Sequence, residues 1–184
     1  MNIAVASGKG GAGKTMVAVN LSAVLSRKVD KLLYLDCDVE EPNGHIFLRP
    51  EICEKTSVNL RVPQLIEERC TRCGLCSKVC VFKAIITTPN TVLIFDDMCH
   101  ACGACIEMCP ENALQERDYT IGEIYAGNSS VLANTNIIWG NMFPGKALAV
   151  PVIREAWKHA MEQDTLTIVD APPGASCPVV ETLE

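Results

Sequence analysis

Eight of the eleven cysteines fall between positions 70 and 109, as Cys70-x-x-Cys73-x-x-Cys76-x-x-x-Cys80 and again as Cys99-x-x-Cys102-x-x-Cys105-x-x-x-Cys109. Every cysteine recurs 29 residues later, and the match extends to Gly74 with Gly103 and to Ala84-Ile85 with Ala113-Leu114. This is an internal repeat of one supersecondary unit. In a reducing compartment, clustered cysteines point to metal ligation rather than disulfides. Three thiolates two residues apart can wrap a loop round one face of an iron–sulfur cube, leaving its fourth iron for another cysteine. A zinc site needs only four ligands and gives no reason for doubling the run.

The second chemical constellation is at the amino end, where Gly8-Lys9-Gly10-Gly11-Ala12-Gly13-Lys14-Thr15 reads Gly-x-x-x-x-Gly-Lys-Thr. Glycines at this spacing let backbone N–H groups face phosphate oxygens, and a following helix adds the positive end of its dipole. Lys14 is expected to reach the β- and γ-phosphates of ATP, and Thr15 to ligate Mg2+. Such a loop requires a strand before it and a helix after it. The apolar run Asn2 to Ala6 supplies the strand and Met16 to Arg27 the helical pattern. Lys31 to Asp36 reads as a second buried strand and Thr165 to Asp170 as a third, while Lys146 to Met161 has the pattern of an amphipathic helix.

The cysteine-rich stretch, about residues 66 to 118, resembles the bacterial ferredoxins that carry two [4Fe–4S] clusters. That resemblance implies crossed ligation, with Cys70, Cys73, Cys76 and Cys109 on one cluster and Cys99, Cys102, Cys105 and Cys80 on the other. Cys109-Pro110 has their usual ending, whereas the first run continues Cys80-Val81. Gly74 and Gly103 are expected to admit backbone amides to the cluster sulfurs, and His100 is read as a surface residue beside a completed ligand set. The scattered Cys37, Cys53 and Cys177 are expected to be small buried residues.

Lys9, a second lysine at the head of the phosphate loop, makes the amino end similar to the deviant Walker ATPases: the MinD and ParA positioning ATPases, the Mrp-type iron–sulfur carriers and the nitrogenase iron protein. The resemblance implies that Lys9 reaches the partner's phosphates across an ATP-bridged homodimer, as an arginine finger would. It further implies that Asp36-x-Asp38-x-x-x-x-Asn43 is a switch in which Asp38 orients the attacking water and Asp36 lies near the Mg2+ shell. Asp170-Ala-Pro-Pro-Gly174 matches the family's second switch, with Asp170 holding Mg2+ through water.

These motifs flank the cysteine runs, so the expected architecture is α/β. A P-loop NTPase domain, a parallel sheet with flanking helices at 1–61 and 119–184, would carry a small α+β ferredoxin-like insert at 62–118. Asn59 to Pro63 and Asp118 to Gly122 are the expected crossing strands, and Asn136 to Gly140 a strand or turn. As a whole the chain resembles MinD-superfamily ATPases with an inserted ferredoxin domain. Those continue past the second switch, so an incomplete carboxyl end is expected, with Leu183-Glu184 as a tag remnant and the exposed sheet edge favouring dimerisation.

The chain has 16 basic and 22 acidic residues for a net charge of −6, of which residues 62–118 contribute 5 and 8. No basic footprint for nucleic acid is present. Neither a secretory signal nor an apolar run long enough to span a membrane is found, and the expected location is cytoplasmic. The leading expectation is an ATPase that couples nucleotide state to electron transfer through two [4Fe–4S] clusters to a redox partner. The alternatives are an Mrp-type carrier delivering clusters to an apo acceptor and, last, an amidating synthase related to cobyrinate diamide synthases.

Overall fold

The central strand β2 (Leu32–Asp36) is buried along its whole length, which is what a continuous apolar run becomes when helices cover both faces of a sheet. The computed structural model describes residues 1–161 and 165–183, so Glu184 of the expected tag remnant lies outside the described residues. In chain order the elements are β1 (Asn2–Ser7), α1 (Lys14–Leu25), β2, α2 (Gly44–Leu48), β3 (Pro50–Leu65), α3 (Leu75–Val79), β4 (Ile85–Thr87) and β5 (Val92–Ile94). After these come α4 (Ala104–Glu107), β6 (Leu114–Ser129), β7 (Thr135–Met142), α5 (Val150–Met161), β8 (Leu166–Pro173) and α6 (Cys177–Leu183). Short 3-10 turns at Glu67–Arg69 and Asp96–Met98 precede the two cysteine runs.

The sheet order is β1-β8-β2-β7-β6-β3. β1, β8, β2 and β7 run parallel, and β6 is antiparallel to β7. A mixed α/β fold with a mostly parallel sheet fits a P-loop NTPase. β1 lies at one edge of that sheet, beside β8. The chain divides into two compact units, one comprising Met1–Val58, Ile121–Pro144 and Leu148–Glu184, the other Asn59–Thr120 with Gly145–Ala147.

In the larger unit, Ala18, Leu32, Tyr34, Leu48, Ile137, Trp139 and Ile168 form a buried cluster. α5 contributes Val152, Ile153, Ala156 and Ala160 from one face, and carries Lys158 and His159 in its last turn, where the helix dipole favours cations. This helix begins at Val150 rather than Lys146. Lys146 belongs to the smaller unit, where its ammonium bonds Asp97 at 2.8 Å and the Tyr119 hydroxyl. The core of that unit is Ile85, Val92 and Leu114, with Cys70, Cys76, Cys80 and Cys105 packed against them.

Two further expectations change. Cys37 is buried, but Cys53 and Cys177 are exposed. Cys53 lies on β3, the strand at the far end of the sheet order, and Cys177 opens the last helix, so neither position is enclosed on all sides.

Candidate functional site

The loop between β1 and α1 is shaped by its glycines. Gly11 and Gly13 have φ of +72° and +86°, a region that side-chain-bearing residues rarely occupy. A Cβ built on Gly8, Gly10, Gly11 or Gly13 meets no protein atom within 4 Å, so the loop borders open space. α1 starts at Lys14 with Gly13 at its cap and no side-chain cap, leaving first-turn N–H groups for a ligand. Ser7 Oγ donates to the Lys9 carbonyl at 2.8 Å, and the N–H of Gly174 donates to Ser7 O at 3.1 Å, joining the loop to the end of β8. Lys14 is only 9% exposed, whereas Lys9 and Ala12 are exposed.

Sheet register brings the acids together, because Asp36 on β2 lies opposite Asp170 on β8. Both carboxylates are fully buried. Asp170 Oδ2 accepts a hydrogen bond from the Tyr34 hydroxyl at 2.9 Å, and its Oδ1 is buried without a partner among the described residues. Burial raises the Asp170 pKa, while Thr15, Tyr34 and Lys14 favour its charged form. A buried, unpaired carboxylate oxygen beside a threonine hydroxyl is the hard-oxygen chemistry Mg2+ takes, so Thr15 and Asp170 fit that ion.

Asp36 is used differently. Its Oδ1 accepts from the Asp38 N–H at 3.1 Å, and its Oδ2 accepts from Asn43 at 3.2 Å and Gly44 at 2.9 Å. The carboxylate therefore ties down the loop from 37 to 44. Burial first, then the Asp170 charge, pushes its pKa up to about 7. Asp38 is half-buried, and burial lifts it to about 6 against the opposing charge of Lys14. Lys14 thus acts electrostatically on both Asp38 and Asp170.

The smaller unit contains two small pockets, each with about 20 Å³ of enclosed space and partly open to solvent. Cys70, Cys73, Cys76 and Cys109 line the first; Cys80, Cys99, Cys102 and Cys105 line the second. The repeat is also present in the backbone. Arg72 and Ala101, Lys83 and Asn112, and Gly74 and Gly103 all have positive φ, each pair 29 residues apart. Ala84 N–H donates to Cys80 Sγ and Ala113 N–H to Cys109 Sγ, both at 3.3 Å. Two backbone hydrogen bonds next to the strand ends cross between the halves: Ile66 N–H to Ala113 O and Phe95 N–H to Ala84 O, both at 2.8 Å.

All eleven cysteines are free. Burial, then neighbouring thiols led by Cys99, pushes Cys105 up to about 11. A cation among these sulfurs would reverse that shift by favouring thiolates. Among the described residues, no three His, Cys, Asp or Glu side chains converge closely enough to hold a single ion. A zinc ion needs sulfurs about 3.8 Å apart, from Zn–S bonds of about 2.3 Å in a tetrahedron. His100 stacks on Phe82 at the second cavity, centroids 3.6 Å apart.

Residues 3–138 match the CobQ/CobB/MinD/ParA nucleotide binding domain. The chain belongs to this family. Two uncharacterized proteins of Methanocaldococcus jannaschii align with this CobQ/CobB/MinD/ParA member over 185 residues, at 35% and 26% identity. Each alignment takes in 100% of this chain but only 64% and 65% of the relatives, so the chain spans about two thirds of their length. A mitochondrial iron-sulfur protein required for NADH dehydrogenase, from Arabidopsis thaliana, is 48% identical over 58 residues, 31% of this chain and 18% of that protein. Among the described residues, no helix is long and apolar enough to cross a membrane.

Tyr34 and Gly44 of this family member escape a motif-by-motif reading. The available signal was a phenol inside an apolar strand, since a buried tyrosine hydroxyl needs a polar partner.

Proposed function

We propose that this chain is an ATP-hydrolysing iron–sulfur protein in which nucleotide state governs electron transfer through two [4Fe–4S] clusters. Cys70, Cys73, Cys76 and Cys109 would hold one cluster and Cys99, Cys102, Cys105 and Cys80 the other. The observation that carries this reading is the separation of eight cysteines into two cavities of four, the last cysteine of each run lining the cavity of the other run. Bound clusters supply one-electron transfer, and Mg2+ supplies Lewis-acid polarisation of the phosphates.

The protein's own groups do the rest. Backbone N–H groups of Gly8 to Thr15 bind the phosphates, with the charge on Lys14 neutralising the β- and γ-oxygens. Thr15 and Asp170 are the protein groups assigned to Mg2+. Asp38 accepts a hydrogen bond from the attacking water and aligns it with the γ-phosphorus; the bond to the β-γ bridging oxygen breaks, releasing ADP and phosphate. Asp36, through three amides, keeps the Asp38 loop in place, a role that precedes any contact with the metal shell. Lys9, exposed at the head of the loop, is assigned to the partner's phosphates in an ATP-bridged homodimer.

A second reading is a carrier that passes clusters to an apo acceptor, and the stretch of 58 residues shared with the Arabidopsis iron-sulfur protein required for NADH dehydrogenase keeps it open. Redox titration of anaerobically purified protein with and without Mg·ATP separates the two. A nucleotide-dependent change in midpoint potential is expected for gating. An unchanged potential together with ATP-stimulated cluster transfer to an apo-ferredoxin would favour the carrier.

A further inference from the structure

Among the described residues, Asp170 Oδ2 is paired and Oδ1 is not, and the group that holds Oδ2 is Tyr34. The phenol crosses 136 residues of sequence to donate to Oδ2 at 2.9 Å, and its side chain is fully buried. Room for the ring comes from Gly44, where an added Cβ would sit 2.3 Å from Tyr34 Cε1 and 2.6 Å from its hydroxyl oxygen. The Gly44 N–H in turn donates to Asp36 Oδ2. One rigid ring therefore stands between the loop that Asp36 organises and the Asp170 carboxylate on β8.

We infer that Tyr34 is a positioning residue for metal binding: by holding Asp170 Oδ2 it presents Oδ1 to the phosphate cradle, with Gly44 as the notch that seats its ring. Without the hydroxyl, Asp170 keeps Thr15 and Lys14 as polar neighbours, and its Oδ2 is no longer held from the β2 side. The inference rests on the reading that this cradle binds Mg·ATP, and names a residue that the phosphate-loop and switch motifs do not include.

Mn2+ binding to the full chain, measured by electron paramagnetic resonance with a non-hydrolysable ATP analogue, tests it. Wild-type protein that fails to bind Mn2+ with the analogue overturns the nucleotide reading and this inference with it. Given wild-type binding, Tyr34→Phe is expected to weaken Mn2+ about tenfold, the scale of one hydrogen bond to a charged group, while metal-free analogue binding holds. Equal Mn2+ affinity in Tyr34→Phe overturns the inference alone. Packing and positioning are separated by Gly44→Ala, which displaces the ring, and by Gly44→Ala/Tyr34→Leu, which relieves the clash without restoring the donor. The double variant is expected to recover thermal stability but not Mn2+ affinity, and this pair decides the matter if Tyr34→Phe does not fold. Recovery of both would make Tyr34 a packing residue only.

Discussion

The two units reach stability by different routes. In the larger one, the fully buried β2 and the cluster around Tyr34, Leu48, Trp139 and Ile168 give a core built from strands and helices. In the smaller one, Ile85, Val92 and Leu114 are the buried centre, and cysteines occupy the surrounding shell. A stretch of about 60 residues buries too little apolar surface to stand on that alone, so other links must make up the difference. The comparison teaches that the cysteines are at once the chemical groups of the smaller unit and part of its core. In the nucleotide unit, Lys14, Asp36, Asp38 and Asp170 lie outside the apolar cluster, and Tyr34 alone belongs to both.

The largest effect that follows is on the smaller unit. Replacing Cys76 by Ala, or stripping iron with a chelator, is expected to raise amide hydrogen exchange through residues 59–120 to nearly the unfolded rate. Residues 14–48 should retain their protection and ATP should still bind. Equal loss of protection in both units would break the comparison. Next in size, Lys14→Ala is expected to lower ATP hydrolysis about a thousandfold, the scale of removing a phosphate-neutralising cation, with the same exchange pattern as wild type. Unfolding of the larger unit by that change would show its chemistry and core to be inseparable.

The smallest effect concerns pH. Asp36 and Asp38 have folded pKa values raised to about 7 and about 6, so the folded protein binds these protons more tightly than the unfolded chain. Their contribution to stability is complete below the ordinary carboxylate range near 4 and is lost as pH rises through 6 to 7. The thermal midpoint of ligand-free protein is expected to fall by a few degrees between pH 5 and 8. Asp38→Asn should flatten the part of that slope below about pH 6 and leave the part up to about 7, which belongs to Asp36, and Mg·ATP should stabilise more at pH 8, where both carboxylates are charged. A midpoint that rises with pH over this interval would contradict the buried-acid arrangement.

Much of the nucleotide unit was legible because its signals are local. Gly11 and Gly13 need φ above zero, a requirement of the glycine-rich loop itself, and β2 announces its two-sided burial in Leu32 to Leu35. The 29-residue offset is likewise local, and recurs in the positive φ values of Arg72 and Ala101. What could not be read is what tertiary contact decides. The Tyr34–Asp170 bond depends on β2 and β8 lying side by side, and no spacing rule links positions so far apart. The same holds for Lys146, whose helical periodicity suggested α5 but whose ammonium is held by Asp97 and Tyr119. Asp36 is ambiguous in another way: a strand-end acid suits metal binding and loop capping equally, and its three amide donors show the capping use.

The central claim is that one chain carries a phosphate cradle and two four-iron sites. Iron and acid-labile sulfide should therefore be counted in protein purified without oxygen, with the metal species identified by Mössbauer spectroscopy. About eight irons and eight sulfides per chain, all in [4Fe–4S] form, is the predicted result. A colourless protein holding zinc, or one with four irons that Cys80→Ala and Cys109→Ala leave untouched, would contradict it.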